Sequence, residues 1–271
     1  MCRLASTVCA GALVGLLVVS GLTHADRLED GEPDDQALKE LAVSRLARSL
    51  DPAVPIALGK AVVRQAALLQ ARELLARYGR RAKLDDGWNA GAPEWQQAEK
   101  ELTADAAGLI QTEIAAPQWF YTVLEREIAN VLDAEDADYI ATHFTTFAGN
   151  EQRILLEMRL IGEVLMANYT FTNRIDHTVP GLDDDLNELS TAYWKLEPFR
   201  KRDFMNDPQA IKFAGQAAGL EYTRMLAIRG IEGFINHIDA VAASARKSVD
   251  DSEPIIEDYI EMYRERTEAN R

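Results

Sequence analysis

Cysteine is nearly absent. The chain has two, Cys2 and Cys9, and both precede residue 10 of 271. The rest can form no disulfide, thiolate metal site, thiol nucleophile or redox pair. Basic residues are also scarce: 29 Lys and Arg stand against 44 Asp and Glu, a net charge of −15. Phosphate binding needs clustered Lys and Arg, so no nucleic-acid partner is expected. An anionic lipid surface is disfavoured for the same reason. Beyond the first 25 residues the histidines are His143, His177 and His237. None shows the His-Glu-x-x-His or Glu-x-x-His spacing of a helical metal site. A Gly-x-Ser-x-Gly elbow and a phosphate loop are missing. No metal and no cofactor are expected. Strand-like alternation is scarce, no repeat of fixed period is legible, and there is only one long hydrophobic run.

That run opens the chain. Arg3 precedes an apolar stretch from Leu4 to Leu22, followed by Thr23-His24-Ala25 and the acidic Asp26. Residues 1–25 read as a secretory signal peptide cleaved after Ala25. A retained anchor is the competing reading, because the run is about long enough to span a bilayer. Cys9 precedes the apolar core, which argues against a lipid-modified cysteine. Removing this segment takes away one charge, Arg3, and both cysteines. A periplasmic or secreted location follows, with no membrane insertion after cleavage.

The whole chain is 47% hydrophobic and 27% charged, as expected of a globular protein. Apolar residues recur at three- and four-residue steps. Helices are expected over 34–50, 55–78 with Gly79 as C-cap, 94–114, 119–132, and 134–147 with Asp133 as N-cap. A further helix is expected over 151–176, and a shorter one starts at the acidic Asp183-Asp184-Asp185. Asp207-Pro208 opens a helix that, unbroken to Lys247, would be roughly 60 Å long at ~1.5 Å per residue. Gly215, Gly219, Gly230 and Gly233 make a bend there plausible. Ser252-Glu253-Pro254 introduces the last helix. The expected fold is all-α: residues 26–271 form a single multi-helix bundle with a long C-terminal helix pair. Thr178–Asp183 is the one candidate subdomain boundary.

Chemistry-bearing patterns are few. The acidic runs 183–185 and 85–87 lack the alternating ligands of a calcium loop. Trp119 and Trp194 sit in amphipathic patterns and are expected in the core. Trp88 and Trp95 flank a loop rich in Gly, Asn and Pro, with Asn89 and Glu94 beside them. Two readings are open: the indoles stack on a sugar or anchor a protein partner, or they pin the loop to the core. Asn168 is a polar residue on the Ile154–Ile175 stripe, where a packing or ligand role is open.

One stretch, from Trp119 to about Leu165, resembles a family of secreted bacterial helical domains of unknown function. That family shows an acidic helix start, then Phe-Tyr-x-Ser/Thr-Pro-x-Gly, then an amphipathic helix. The acidic start here is Ala134-Glu135-Asp136-Ala137-Asp138 and the signature region is His143-Phe144-Thr145-Thr146-Phe147-Ala148-Gly149. Thr146 and Gly149 match, Phe144 is an aromatic substitute for the tyrosine, His143 stands in the phenylalanine position, and Phe147 departs by replacing the proline. The resemblance implies a helical periplasmic domain, supplies no catalytic residue, and suggests that Gly149 ends a helix in the left-handed conformation.

The leading functional expectation is non-catalytic binding of another envelope or secreted protein, as an inhibitor, immunity protein or chaperone would do. A basic partner suits the charge. The alternative is a cell-wall hydrolase with paired carboxylates and a cleft lined by Trp88 and Trp95.

Overall fold

In a computed structural model of the chain, residues 34–171, 182–194 and 208–270 are described. The signal segment, its Ala25 site, His177 and residues 178–181 of the candidate boundary lie outside them. Every regular element among the described residues is helical. α1 (Asp35–Ala47) turns at Asp51-Pro52 into α2 (Ala53–Arg81). After the loop come α3 (Pro93–Leu102), α4 (Ala104–Leu109) and a π-helical turn (Ile110–Ile114). α5 (Gln118–Val131), α6 (Ala134–Phe144) and α7 (Phe147–Leu156) follow. α7 runs through a π-helical segment (Glu157–Val164) into α8 (Leu165–Phe171). α9 (Asp183–Trp194) and α10 (Pro208–Ala214) precede α11 (Ala217–Met225). α11 continues through a further π-helical segment (Leu226–Gly230) into α12 (Ile231–Asp251), and α13 (Ile255–Ala269) ends the fold.

The centre is α2. Its Ala57, Ala61, Ala67 and Ala71 are fully buried, and such small side chains let neighbouring axes approach closely. α12 packs along it, α9 lies against it, and α3 and α13 meet its C-terminal part. α1 rests on α5 and α6. Trp119 is in the core as expected. Its ring stacks on His237 at 4.7 Å, and its indole N–H donates to the Ile114 carbonyl at 2.9 Å. Trp194 is not in the core: it is 58% exposed. α9 and the residue before it bury Leu182, Asp185, Leu189 and Ala192 at three- and four-residue steps, and Trp194 falls off that stripe.

Two expected long helices are broken. The 94–114 helix is interrupted at Thr103, whose φ of −95° and ψ of 1° leave the helical region. Its hydroxyl donates back to the Glu99 carbonyl at 2.9 Å, a bond that competes with the helical ladder. The 208–247 helix turns at Gly215-Gln216, so the long C-terminal pair is α12 and α13.

The sequence shows no repeat, yet one device occurs twice. The α6–α7 and α10–α11 turns each open the second helix from an extended residue, Thr146 (φ −74°, ψ 160°) and Gln216 (φ −88°, ψ 141°). Three residues on stands a glycine pressed against the preceding helix. A Cβ on Gly149 would lie 2.5 Å from the His143 carbonyl carbon, and one on Gly219 3.1 Å from that of Phe213, with each carbonyl oxygen nearer still. The expectation that Gly149 ends a helix is thereby corrected. It lies in the first turn of α7, its φ is outside the left-handed region, and close approach is what requires glycine. Thr146 caps α7 by accepting its N–H at 3.0 Å. The two units meet through the stacked rings of His143 and Phe213, 5.1 Å apart.

Gly79 is likewise not the cap of α2. The helix runs on to Arg81 and closes with Leu84 N–H on the Gly79 carbonyl at 3.0 Å and Lys83 N–H on that of Arg80 at 3.2 Å. Lys83 takes the left-handed conformation, φ 54°, the arrangement of a Schellman cap.

Candidate functional site

The loop between α2 and α3 folds back as a sequence of local turns. Gly87 N–H donates to Asp85 Oδ1 at 3.0 Å. Asn89 accepts from Gly91 N–H at 2.8 Å and donates to the Asp86 carbonyl at 2.6 Å. These Asx-type bonds occupy Asn89 within the loop. They aim Trp88 inwards, onto Gly79, where a Cβ would lie 2.6 Å from the indole nitrogen. The indole N–H donates to the Leu75 carbonyl at 3.0 Å.

Trp88 meets Trp95 and Tyr263 edge to face, with ring centroids 5.6 and 5.4 Å apart. Both tryptophans are 7% exposed. Glu94, at the start of α3, is also buried and is gripped by Arg266 of α13 through two bonds of 2.6 and 3.0 Å. The Arg266 guanidinium holds the Glu94 carboxyl below its ordinary range. Arg266 also lies over the Tyr263 ring at 5.3 Å. Tyr263 donates its hydroxyl to Asp85, and that bond pushes the phenol up to about 12.

Trp88, Glu94 and Trp95 thus come together, while Asn89 stays on the exposed surface of the loop. The cluster ties the loop and α3 to α2 and α13. Its rings face one another and are nearly buried, so neither indole lies open along a cleft.

The same helix, α13, presents a different face to solvent. Along it and the C-terminal end of α2 runs a groove of about 700 Å³. Tyr78, Arg81 and Ala82 form one wall, and Glu257, Ile260, Glu261, Arg264, Glu265 and Glu268 the other. The four glutamates recur at helical spacing and are exposed. None has an ion-pair partner among the described residues. Both arginines are already engaged: Arg264 donates to the Ala82 carbonyl at 2.9 Å, and Arg81 stands over the Tyr78 ring at 5.5 Å. Tyr78 in turn donates to Glu253. The partners of the two arginines are uncharged, so the arginines offset part of the four glutamates, and the groove keeps a net negative charge between walls that include Ala82 and Ile260.

The groove has no histidine, serine or cysteine. Ser244 and Lys247 on α12 have Ser-x-x-Lys spacing, which the sequence reading overlooked. Ser244 is spent on the Ala240 carbonyl of its own helix at 3.1 Å. Among the described residues no three His, Asp or Glu side chains converge as a metal site. Of the acidic triad, Asp185 is buried against Arg64 and Asp184 is exposed. His143 is half-buried and bonded to Gln152 at 2.8 Å. Asn168 is half-buried on α8. No helix among the described residues is long and apolar enough to cross a membrane.

The four groove glutamates escaped the sequence reading. Their spacing was visible, but it matches any solvated helix face, and only the packing of α13 beside α2 makes a groove of it. No family model matches the chain, and comparison with curated proteins and with solved structures finds no match.

Proposed function

We propose that the protein is an exported binding protein that acts without catalysis, taking a basic segment of another envelope or secreted protein into the α2–α13 groove. One observation carries the reading: four exposed, unpaired glutamates line an open groove of about 700 Å³. The net charge of −15 steers a basic partner towards it over distances of about one Debye length, roughly 8 Å at physiological salt. The half-buried Tyr78 ring and the edge of Ile260 supply apolar contact beside the charges. The signal-peptide pattern of residues 1–25 supports an extracytoplasmic location, where an inhibitor, immunity or chaperone-like role is exerted.

The test is capture with a charge-reversed control. The full chain, tagged behind a flexible linker, is cross-linked briefly in its native envelope beside a Glu261→Lys, Glu265→Lys variant of unchanged circular dichroism. A dominant basic protein, captured by the parent and lost from the variant, is the expected result. A partner retained by the variant places binding elsewhere, and no stoichiometric partner with either chain overturns the reading.

A further inference from the structure

A cavity apart from the α2–α13 groove carries the opposite charge. It lies where the C-terminal end of α5 meets the junction of α11 with the Leu226–Gly230 π-helical segment, and its volume is about 400 Å³. Val131 of α5, Glu221, Arg224 and Met225 of α11, and Ile228 and Arg229 of the π-helical segment line it. Two guanidiniums against one carboxylate leave a net positive charge there, in a chain whose own net charge is −15.

The π-helical segment puts both arginines on one wall. In an α-helix two residues five apart stand about 140° from each other round the axis. Arg224 and Arg229 would then face different neighbours. The segment instead bonds residues five apart: Ile231 N–H donates to the Leu226 carbonyl. This wider turn returns the fifth residue nearly above the first, and such turns recur at functional sites. Both arginines are exposed. Neither has an ion-pair or hydrogen-bond partner among the described residues. Apolar surface lies beside them. Met225 is 3% exposed and closes the base of the cavity, and Val131 is half-buried on the α5 side. Ile228 is left 57% exposed, as is Leu220, one turn before Arg224.

We propose that this cavity binds a small amphipathic monocarboxylate. The apolar body of the acid rests on Met225, Val131 and Ile228, and its carboxylate bridges Arg224 and Arg229. Guanidinium donors match a carboxylate in pairs, and such charge-assisted bonds are about twice as strong as neutral ones. Glu221 sets the charge of the ligand. A monoanion neutralises the site, whereas a dianion places surplus negative charge against Glu221. A neutral or cationic amphiphile leaves both guanidiniums unanswered. The volume of about 400 Å³ falls at the small end of the range of roughly 300–1,000 Å³ typical of small-molecule sites, which favours a free acid over a protein segment. The site is independent of the α2–α13 groove, whose glutamates repel this ligand.

Sodium octanoate, kept below its micellar range, is the probe. Arginine Nε–H and isoleucine methyl resonances of the full chain are the readout. Saturable shifts at Arg224, Arg229 and Ile228 are expected, with octan-1-ol and octylammonium binding at least about tenfold more weakly. Arg224→Gln and Arg229→Gln are each expected to raise Kd by about tenfold, and Glu221→Gln to lower it. No saturable shift at these residues up to about 10 mM octanoate overturns the proposal. So does octan-1-ol binding as tightly as octanoate, or an unchanged Kd in the Arg224→Gln, Arg229→Gln double variant. If that variant does not fold, the comparison of octanoate with octan-1-ol on the unmodified chain decides alone.

Discussion

Trp88→Ala separates a loop anchor from a ligand platform. The ring is 7% exposed, meets Trp95 and Tyr263 edge to face and donates to the Leu75 carbonyl. An aromatic of this size buries about 150–250 Å², which at ~25 cal/mol per Å² sets a ceiling of about 4–6 kcal/mol. Alanine retains part of that area, whereas the cavity left among Gly79, Trp95 and Tyr263 adds to the cost. Truncations of this kind run to about 3–5 kcal/mol, so a loss of about 4 kcal/mol is expected. In a unit of this length that corresponds to a fall of roughly 8–16 °C in Tm. Urea unfolding followed by circular dichroism measures it, with the slope checked against the parent. Trp88→Phe keeps the edge contacts and loses the indole bond, and is expected to cost about 1–2 kcal/mol. Trp88→Ala combined with Trp95→Ala is expected to cost less than the sum, because the rings touch. A Trp88→Ala protein within about 1 kcal/mol of the parent refutes the anchoring argument.

Other expectations follow from particular contacts. Gly149→Ala drives a Cβ into the His143 carbonyl and disturbs the Thr146 cap, at a cost of about 2–4 kcal/mol in urea midpoint analysis; equal stability would contradict the close approach. Lys83→Gly relieves the left-handed φ of 54° and is expected to stabilise the chain by about 1 kcal/mol, read as a higher Tm. Glu94 is held low by Arg266, so its contribution is present above the unfolded carboxylate range and lost as pH falls through its lowered value. The Tm difference between the parent and Glu94→Gln is accordingly expected to narrow between about pH 7 and pH 2.5, and a constant difference would exclude the ion pair as its source.

The all-helical fold was legible because every surface helix leaves its period in the chain. The 133–136 cap shows how local that information is: Asp133 accepts from Asp136 N–H at 2.8 Å, as the spacing of those two residues led one to expect. Breaks were harder to read. Thr103 is an unremarkable residue within an amphipathic run, and a hydroxyl that bonds the carbonyl four residues back leaves no mark on the hydrophobic period. Trp194 was misplaced for a related reason. Periodicity defines a stripe, yet which large residue falls just outside it depends on the angle at which α9 meets α2.

The site divides along the same line. Trp88, Glu94 and Trp95 stood out by residue type and by the loop around them, and they do form one cluster. That the cluster is an internal clasp rather than a surface follows from Tyr263 and Arg266, which lie more than 160 residues later in the sequence. The chain by itself determined the negative charge and the confinement of cysteine to positions 2 and 9. Tertiary structure decided where that charge is concentrated and which carboxyl is denied water. Helical spacing fixes which side chains share a face, but it carries no record of the neighbour that the face meets. Only when distant segments are brought together do four ordinary glutamates become the wall of a groove, and Glu94 a charge held inside a clasp.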